Sequence, residues 1–182
     1  MPKPTKEEIA AAVNKTLADV IAPELDVLFC GINPGLYTAA AGHHFAHPGN
    51  RFWPTLHRAG FTPRLFRPEE QQELLGHRIG ITNLVARAST AAAELTDDEL
   101  AAGGKILARK VKRYKPRVLA IVGVGAYRTA FGHPRAQLGL QPETIGTTAI
   151  WVLPNPSGLN ANYQPPQLVA LFRELKEWIW TT

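Results

Sequence analysis

The chain has 182 residues and a formal net charge of +5, from 20 basic and 15 acidic side chains. Apolar residues make up 45% and charged residues 19%, which excludes a disordered or polyelectrolyte tail, and the length suits one domain over residues 1–182 better than two. One cysteine, Cys30, excludes an internal disulfide and a cysteine-held metal cluster, so a reducing, cytoplasmic setting is expected.

In chain order, Lys6–Val20 reads as an amphipathic helix, and Leu25–Gly31 as a first strand, apolar on both faces. Asn50 is placed to cap a helix running through Gly60, and Phe52 and Trp53 at its start are expected in the core. Pro68–Leu75 opens with a proline and two glutamates, as helices do; Arg78–Leu84 is a second strand. Thr96 caps Asp97–Tyr114, whose acids lie at its positive end and whose lysines and arginines lie at its negative end. Val118–Gly123 and Ala149–Leu153 complete four strands, and Pro166–Trp180 ends the chain with Leu168, Leu171, Phe172, Leu175 and Ile179 at helical spacing. No segment reaches the ~18 apolar residues of a membrane helix, and Glu7 and Glu8 interrupt any signal-peptide pattern, so neither is expected.

Both-face apolar strands alternating with helices predict an α/β fold with a central, mainly parallel sheet covered on both sides. In such sheets ligands sit beyond the carboxyl ends of the strands. The charge is unevenly spread: no acid lies between Glu99 and Glu143, a stretch with nine lysines and arginines, and none lies between Asp26 and Glu69. That asymmetry points to a polyanion surface, against the alternative of a solvated basic helix face.

Two strands exit into similar loops, Gly31-Ile32-Asn33-Pro34-Gly35 and Leu153-Pro154-Asn155-Pro156-Ser157-Gly158-Leu159-Asn160. Asn-Pro with nearby glycine is good turn chemistry on its own. Two such loops on one sheet edge also suit a second reading, in which rigid prolines hold Asn33 and Asn155 as fixed amides able to place water or read a base edge. His43, His44 and His47 lack a nearby carboxylate or cysteine, and no metal is expected there. Phe45, in the same loop, is either a stacking surface or an anchor packed on the core. The chain has no G-x-S-x-G serine, no complete dinucleotide fingerprint and no Walker lysine.

The segments GINPG (Gly31–Gly35), FAHPGNRFW (Phe45–Trp53), ITNLVAR (Ile81–Arg87), DELAAGGKIL (Asp98–Leu107) and IWVLPNPSGLN (Ile150–Asn160) together closely resemble the mismatch-specific uracil/thymine-DNA glycosylases of the uracil-DNA glycosylase superfamily. The resemblance runs from about Leu25 to Leu175, leaving residues 1–24 outside it. It implies a three-layer α/β/α sandwich and a monofunctional enzyme that flips uracil from G·U mismatches in double-stranded DNA, with thymine or modified pyrimidines as further substrates. Hydrolysis of the N-glycosidic bond would leave an abasic site, without cofactor or metal, and the enzyme is expected to act as a monomer. By the same resemblance Asn33 holds the attacking water, Phe45 stacks on the flipped base with backbone near Ile32 reading its edge, and Asn155 lies in the base-binding set. Gly158, Leu159 and Asn160 form the wedge entering the duplex. Two positions depart from the family pattern: Ala86 stands where an acid is common, and Ala161 where an arginine is frequent. The first bears on catalysis or DNA placement and the second on mismatch preference, and Ala86 together with the absence of a titrating base supports the alternative of a noncatalytic or weakly catalytic DNA lesion binder. A small-molecule α/β hydrolase, the third class, would show no salt-dependent DNA affinity.

Overall fold

The computed structural model describes residues 2–182. Its five strands are β1 (Val27–Gly31), β2 (Ile79–Asn83), β3 (Val118–Val122), β4 (Gly139–Ile145) and β5 (Thr148–Leu153), in the sheet order β2-β1-β3-β5-β4. The first three are rich in branched side chains, and β1 and β3 are buried along their whole length, as strands sandwiched between helices must be. The pairs β1·β2, β1·β3 and β3·β5 are parallel, so the expected mainly parallel sheet is present; β4 adds an antiparallel edge to β5.

Alternation along β1 divides the core. Val27 and Phe29 face one side with Phe52, Phe172, Leu175 and Ile179 of helices α3 (Phe52–Arg58) and α6 (Pro165–Thr181). Leu28 and Cys30 face the other side with Leu107, Val111 and Tyr127 of α4 (Asp97–Tyr114) and α5 (Val124–Phe131). Three layers result. On the first face Phe29 stacks on Phe172 at 5.8 Å and meets Phe52 edge-on at 5.4 Å, contacts that add directional preference to apolar burial.

The Thr96 cap is as expected: its hydroxyl accepts from Glu99 N and the Glu99 carboxylate accepts from Thr96 N, a complete capping box. Farther along α4, Gly103 and Gly104 are buried where a Cβ would stand 2.3 Å from the Leu84 carbonyl oxygen and 2.7 Å from that of Ala130. These glycines let α4 lie directly on the chain leaving β2 and on α5.

The N-terminal expectation needs correction. The helix predicted over Lys6–Val20 is only Lys6–Ala10 (α1), after which the chain turns and runs as a strap beside β2. Val20 and Ile81 exchange both backbone hydrogen bonds at 2.9 and 2.8 Å. The reason is the sheet edge: β2 would otherwise expose unpaired N–H and C=O groups, and pairing them outweighs the helical pattern of the strap. Asp19 pins it from outside the backbone, bonded to Lys110 Nζ at 2.5 Å and to the Thr82 hydroxyl at 2.7 Å. The segment after Pro68 is a 3-10 helix to His77 rather than an α-helix ending at Leu75. β4, α2 (Leu36–Ala41) and α5 were not anticipated; β4 carries Pro142 and alternates in burial, which suits an edge strand and hides it from a search for apolar runs. No helix among the described residues is long and apolar enough to cross a membrane.

Replacing Gly103 by alanine should destabilise the fold by about 1–3 kcal/mol, the usual cost of forcing atoms into a packed contact. Chemical denaturation should show a lower midpoint at an unchanged slope; an unchanged midpoint would mean that α4 lifts away at no cost.

Candidate active site

The parallel register brings Gly31, Asn83 and Leu153, the last residues of β1, β2 and β5, to one edge of the sheet. A cavity of about 840 Å³ opens there. Its wall includes Ile32, Asn33, Phe45, Asn155, Gly158 and Leu159, six of the residues singled out in the sequence.

Asn33 is held by a segment more than fifty residues away. Its Nδ2 donates to the Arg87 carbonyl oxygen at 3.0 Å and to Ser89 Oγ at 2.8 Å. The Ser89 hydroxyl donates its own single hydrogen to the Ala91 carbonyl at 2.8 Å, so toward Asn33 its oxygen can only accept. Both amide hydrogens are thereby committed, and the group Asn33 offers to the cavity is Oδ1, an acceptor. The chain that holds it is itself anchored: Arg87 grips Glu99 with Nε at 2.5 Å and Nη2 at 3.1 Å. That side-chain hydrogen bonding, with the Thr96 amide second, lowers the Glu99 carboxyl to about 2.

The second Asn-Pro loop works differently. Asn155 Oδ1 accepts from Ser157 N at 3.0 Å, closing its own turn, and the Asn155 carbonyl accepts from Asn160 Nδ2 at 3.0 Å. Turn chemistry therefore accounts for the Asn155 side-chain oxygen, and distant partners account for Asn33. Asn160 is half-buried in this turn and does not line the cavity, whereas Leu159 at the tip is 95% exposed. The loop is tied down by Arg51, whose Nη1 donates to Tyr163 O at 2.9 Å and Asn160 O at 3.4 Å and whose Nη2 donates to Gly158 O at 3.3 Å. Gly158 lies so close to the opposite loop that a Cβ would stand 2.3 Å from Gly49 O.

Phe45 is an anchor packed on the core, and it also reaches the cavity. Its ring stacks on core Phe52 with centroids 4.1 Å apart and also lines the cavity, and its backbone sits at φ 52°, a left-handed conformation costly for a bulky residue. Beside it, a Cβ on Gly31 would meet Asn83 Oδ1 at 2.6 Å and Phe45 Cζ at 3.3 Å. A bare Cα at Gly31 thus lets the Asn83 amide and the Phe45 ring close in on the strand end, and both line the cavity. Asn83 is the residue the sequence reading passed over, quoted inside a motif but given no role; an amide at the carboxyl end of a buried parallel strand was the available signal. Ser89 and Arg51 were passed over too, because their partners are set by tertiary structure.

The remaining expectations are placed as follows. Ala86 is exposed and lies outside the cavity wall, one residue before the Arg87 carbonyl that holds Asn33. His47 Nδ1 accepts from Gly49 N, and Asn50 Oδ1 accepts from Phe52 N, so this segment shapes the entry to α3, as expected. Among the described residues no cluster of three His, Cys, Asp or Glu is arranged to hold a metal ion. The basic stretch after Glu99 does not surround the cavity. Lys110 pairs with Asp19, Arg117 with Asp26, and Arg128 donates to Ala136 O. The basic end of α4 lies at the opposite sheet edge, where Tyr114 O receives Glu24 N just before β1. The basic run of α4 is therefore not on the cavity rim, because α4 points its acidic end at the carboxyl edge, whereas Arg51 of the other acid-free stretch lines the cavity.

Residues 18–176 match the family model described as the uracil DNA glycosylase superfamily. The chain belongs to this superfamily. Its structure is also similar to a solution NMR structure described as a "putative Uracil DNA glycosylase from Methanosarcina acetivorans", with a TM-score of 0.58 and 20% identity over 90% of this chain and 99% of the other. That likeness carries the fold, and the family match supports a DNA glycosylase activity in general.

Ser89→Ala removes one of the two acceptors that fix Asn33 and loosens its amide. Single-turnover excision should fall about tenfold or more, equivalent to ~1.4 kcal/mol in the barrier, while duplex affinity holds. A parallel fall in affinity would show that Ser89 supports the whole face rather than this amide.

Proposed function

We propose that the protein is a monofunctional DNA glycosylase that excises uracil from G·U mismatches in duplex DNA, acting as a monomer without cofactor. The observation that carries this is the pairing of a locked acceptor, Asn33 Oδ1, with a Phe45-walled slot and an exposed leucine at the same rim.

A base within a duplex cannot reach such a slot, so the nucleotide must turn out, at a cost of a few kcal/mol that is smallest for a mismatched pair. Leu159 supplies an apolar wedge for the vacated space, on a loop that Arg51 keeps in place. The pyrimidine then lies against Phe45 with its edge toward Asn83. Asn33 Oδ1 accepts a hydrogen bond from a water aimed at the sugar C1′. As the C1′–N1 bond breaks, N1 keeps the electron pair and uracil leaves as an anion; the water oxygen bonds to C1′ and its proton passes to solvent. Among the described residues no Asp or Glu lines the cavity, so fixed neutral dipoles rather than a carboxylate base stabilise this change. Thymine and modified pyrimidines are further candidates for the slot.

The same lack of a carboxylate, with Ala86 outside the cavity, favours a second reading: a lesion binder with little or no catalysis. Single-turnover excision and duplex binding measured on G·U, A·U, G·T and single-stranded substrates separate the two. Asn33→Ala should reduce excision by about 10²-fold with duplex binding retained; equal loss of binding and cleavage would remove the water-positioning role.

Leu159→Ala should slow excision from well-paired A·U more than from G·U, because the wedge matters most where extrusion costs most. Equal slowing on both duplexes would show that Leu159 does not act during extrusion. The salt dependence of affinity should stay the same, since leucine releases no counterions.

A further inference from the structure

Away from the cavity, α4 carries a charged face that nothing in the chain neutralises. The helix buries Gly103, Gly104, Leu107 and Val111. The spacing turns Lys105, Arg109 and Lys112 outward, with Ile106 and Arg113 beside them, and all five are exposed. Lys110, Arg117 and Arg128 of the same acid-free stretch are engaged by Asp19, Asp26 and the Ala136 carbonyl. Among the described residues no carboxylate pairs with Lys105, Arg109, Lys112 or Arg113. The Arg113 guanidinium lies over the ring of its neighbour Tyr114, 5.5 Å from the centroid.

Helix energetics alone do not account for this row. The dipole of α4 favours cations in its last turn, which covers Lys112 and Arg113, but its effect has faded by Arg109 and Lys105. Like charges three or four residues apart repel, as Lys105 and Arg109, Arg109 and Lys112, and Arg109 and Arg113 do. A polyanion laid along the row reverses that repulsion. Over the ~12 Å from Lys105 to Arg113, one strand of duplex DNA presents about three or four phosphates. Protein interfaces are depleted in lysine and anchored by aromatic residues, whereas this face offers lysines and arginines, one apolar residue in Ile106 and no exposed aromatic. Nucleic acid is the better match, and membership of a uracil DNA glycosylase superfamily makes duplex DNA the polyanion within reach.

The row and the cavity face different directions. Gly103 packs on the Leu84 carbonyl just past the end of β2, and from there α4 descends along the sheet to Tyr114, whose carbonyl meets Glu24 N ahead of β1. The first turn of α4, nearest the carboxyl edge, carries exposed Asp97 and Asp98. These carboxylates repel the phosphates of a duplex stretched from the cavity edge to the row. We propose that the outward face of α4 is a second DNA-contact surface, which holds an undamaged duplex segment while the carboxyl edge of the sheet is turned to another. Such a surface keeps the protein on DNA while the cavity changes position. It rests on superfamily membership and not on the excision of uracil.

The test uses the full chain and stiff duplexes of about one and a half helical turns, ~50 Å, one free of uracil and one bearing cleavage-resistant 2′-fluoro-deoxyuridine opposite guanine. A variant combining Lys105→Gln, Arg109→Gln, Lys112→Gln and Arg113→Gln should bind the uracil-free duplex about tenfold or more weakly at low salt. Its salt slope should be shallower by about 3–4, roughly one for each phosphate given up, while single-turnover excision at saturating protein stays as in the wild type. The wild type should bridge the two duplexes, read by energy transfer between them, and the variant should not. Lysine acetylation of the unaltered protein gives a readout independent of folding in the variant: the uracil-free duplex should shield Lys105 and Lys112. An unchanged salt slope or unshielded lysines overturn the proposal, as does shielding by polyglutamate but not by duplex, which marks an acidic protein partner. A wild type that excises uracil yet does not bridge also overturns it, because one duplex then serves both surfaces. A wild type that excises no uracil, with the slope change and the shielding intact, overturns the glycosylase reading alone.

Discussion

Everything at the cavity hangs from the in-register ends of parallel strands. Gly31 is paired with Asn83 across β1 and β2, and β3 carries the same edge on to Leu153 of β5. Parallel pairing is what makes this possible: successive strands deliver their carboxyl ends to one side, so loops far apart in sequence converge. The backbone continues the alignment past the strands, with Leu84 N on Gly31 O at 2.8 Å and Val85 N on Ile32 O at 2.9 Å. The chain that grips Asn33 thus arrives beside it because the sheet has not quite ended.

Close approach is the second requirement, and glycine meets it where side chains would collide. At Gly31 the missing Cβ lets the Asn83 amide and the Phe45 ring pack against the strand end; at Gly158 it lets the leucine-bearing loop touch Gly49. At Gly103 it lets α4 rest on the Leu84 carbonyl, and one helical turn earlier Glu99 reaches the Arg87 guanidinium. Packing and polar anchoring therefore meet in one short stretch of chain, Leu84–Ser89, which links the scaffold to the candidate water-binding amide.

Much of this was legible in the sequence because it depends on local chemistry. The four apolar strands, the Thr96 cap and the amphipathic α6 are all set within a few residues. What escaped depends on distant partners. Residues 11–20 keep a helical pattern, but the unpaired edge of β2 claims them, and no window of sequence contains both segments. The two Asn-Pro loops look alike, yet Asn155 folds back on Ser157 while Asn33 reaches Arg87 and Ser89. Asn83 reads in the sequence as a strand residue, and only the fold sets Gly31 and His44 on either side of it. The basic run showed how many charges there are, but its direction along α4 was needed to show that they point away from the cavity.

The same facts explain how neutral amides give a cavity wall directed polarity. An amide contributes a dipole of fixed sign only while its orientation is enforced. Enforcement comes at Asn33 from two acceptors. The lock ends on a backbone carbonyl, that of Ala91 for the Ser89 hydroxyl, and a carbonyl can take only the accepting role. Because this donor–acceptor chain ends on a group with one possible role, its sense cannot reverse without stranding a buried polar atom. The cavity thereby obtains directed electrostatics from uncharged side chains.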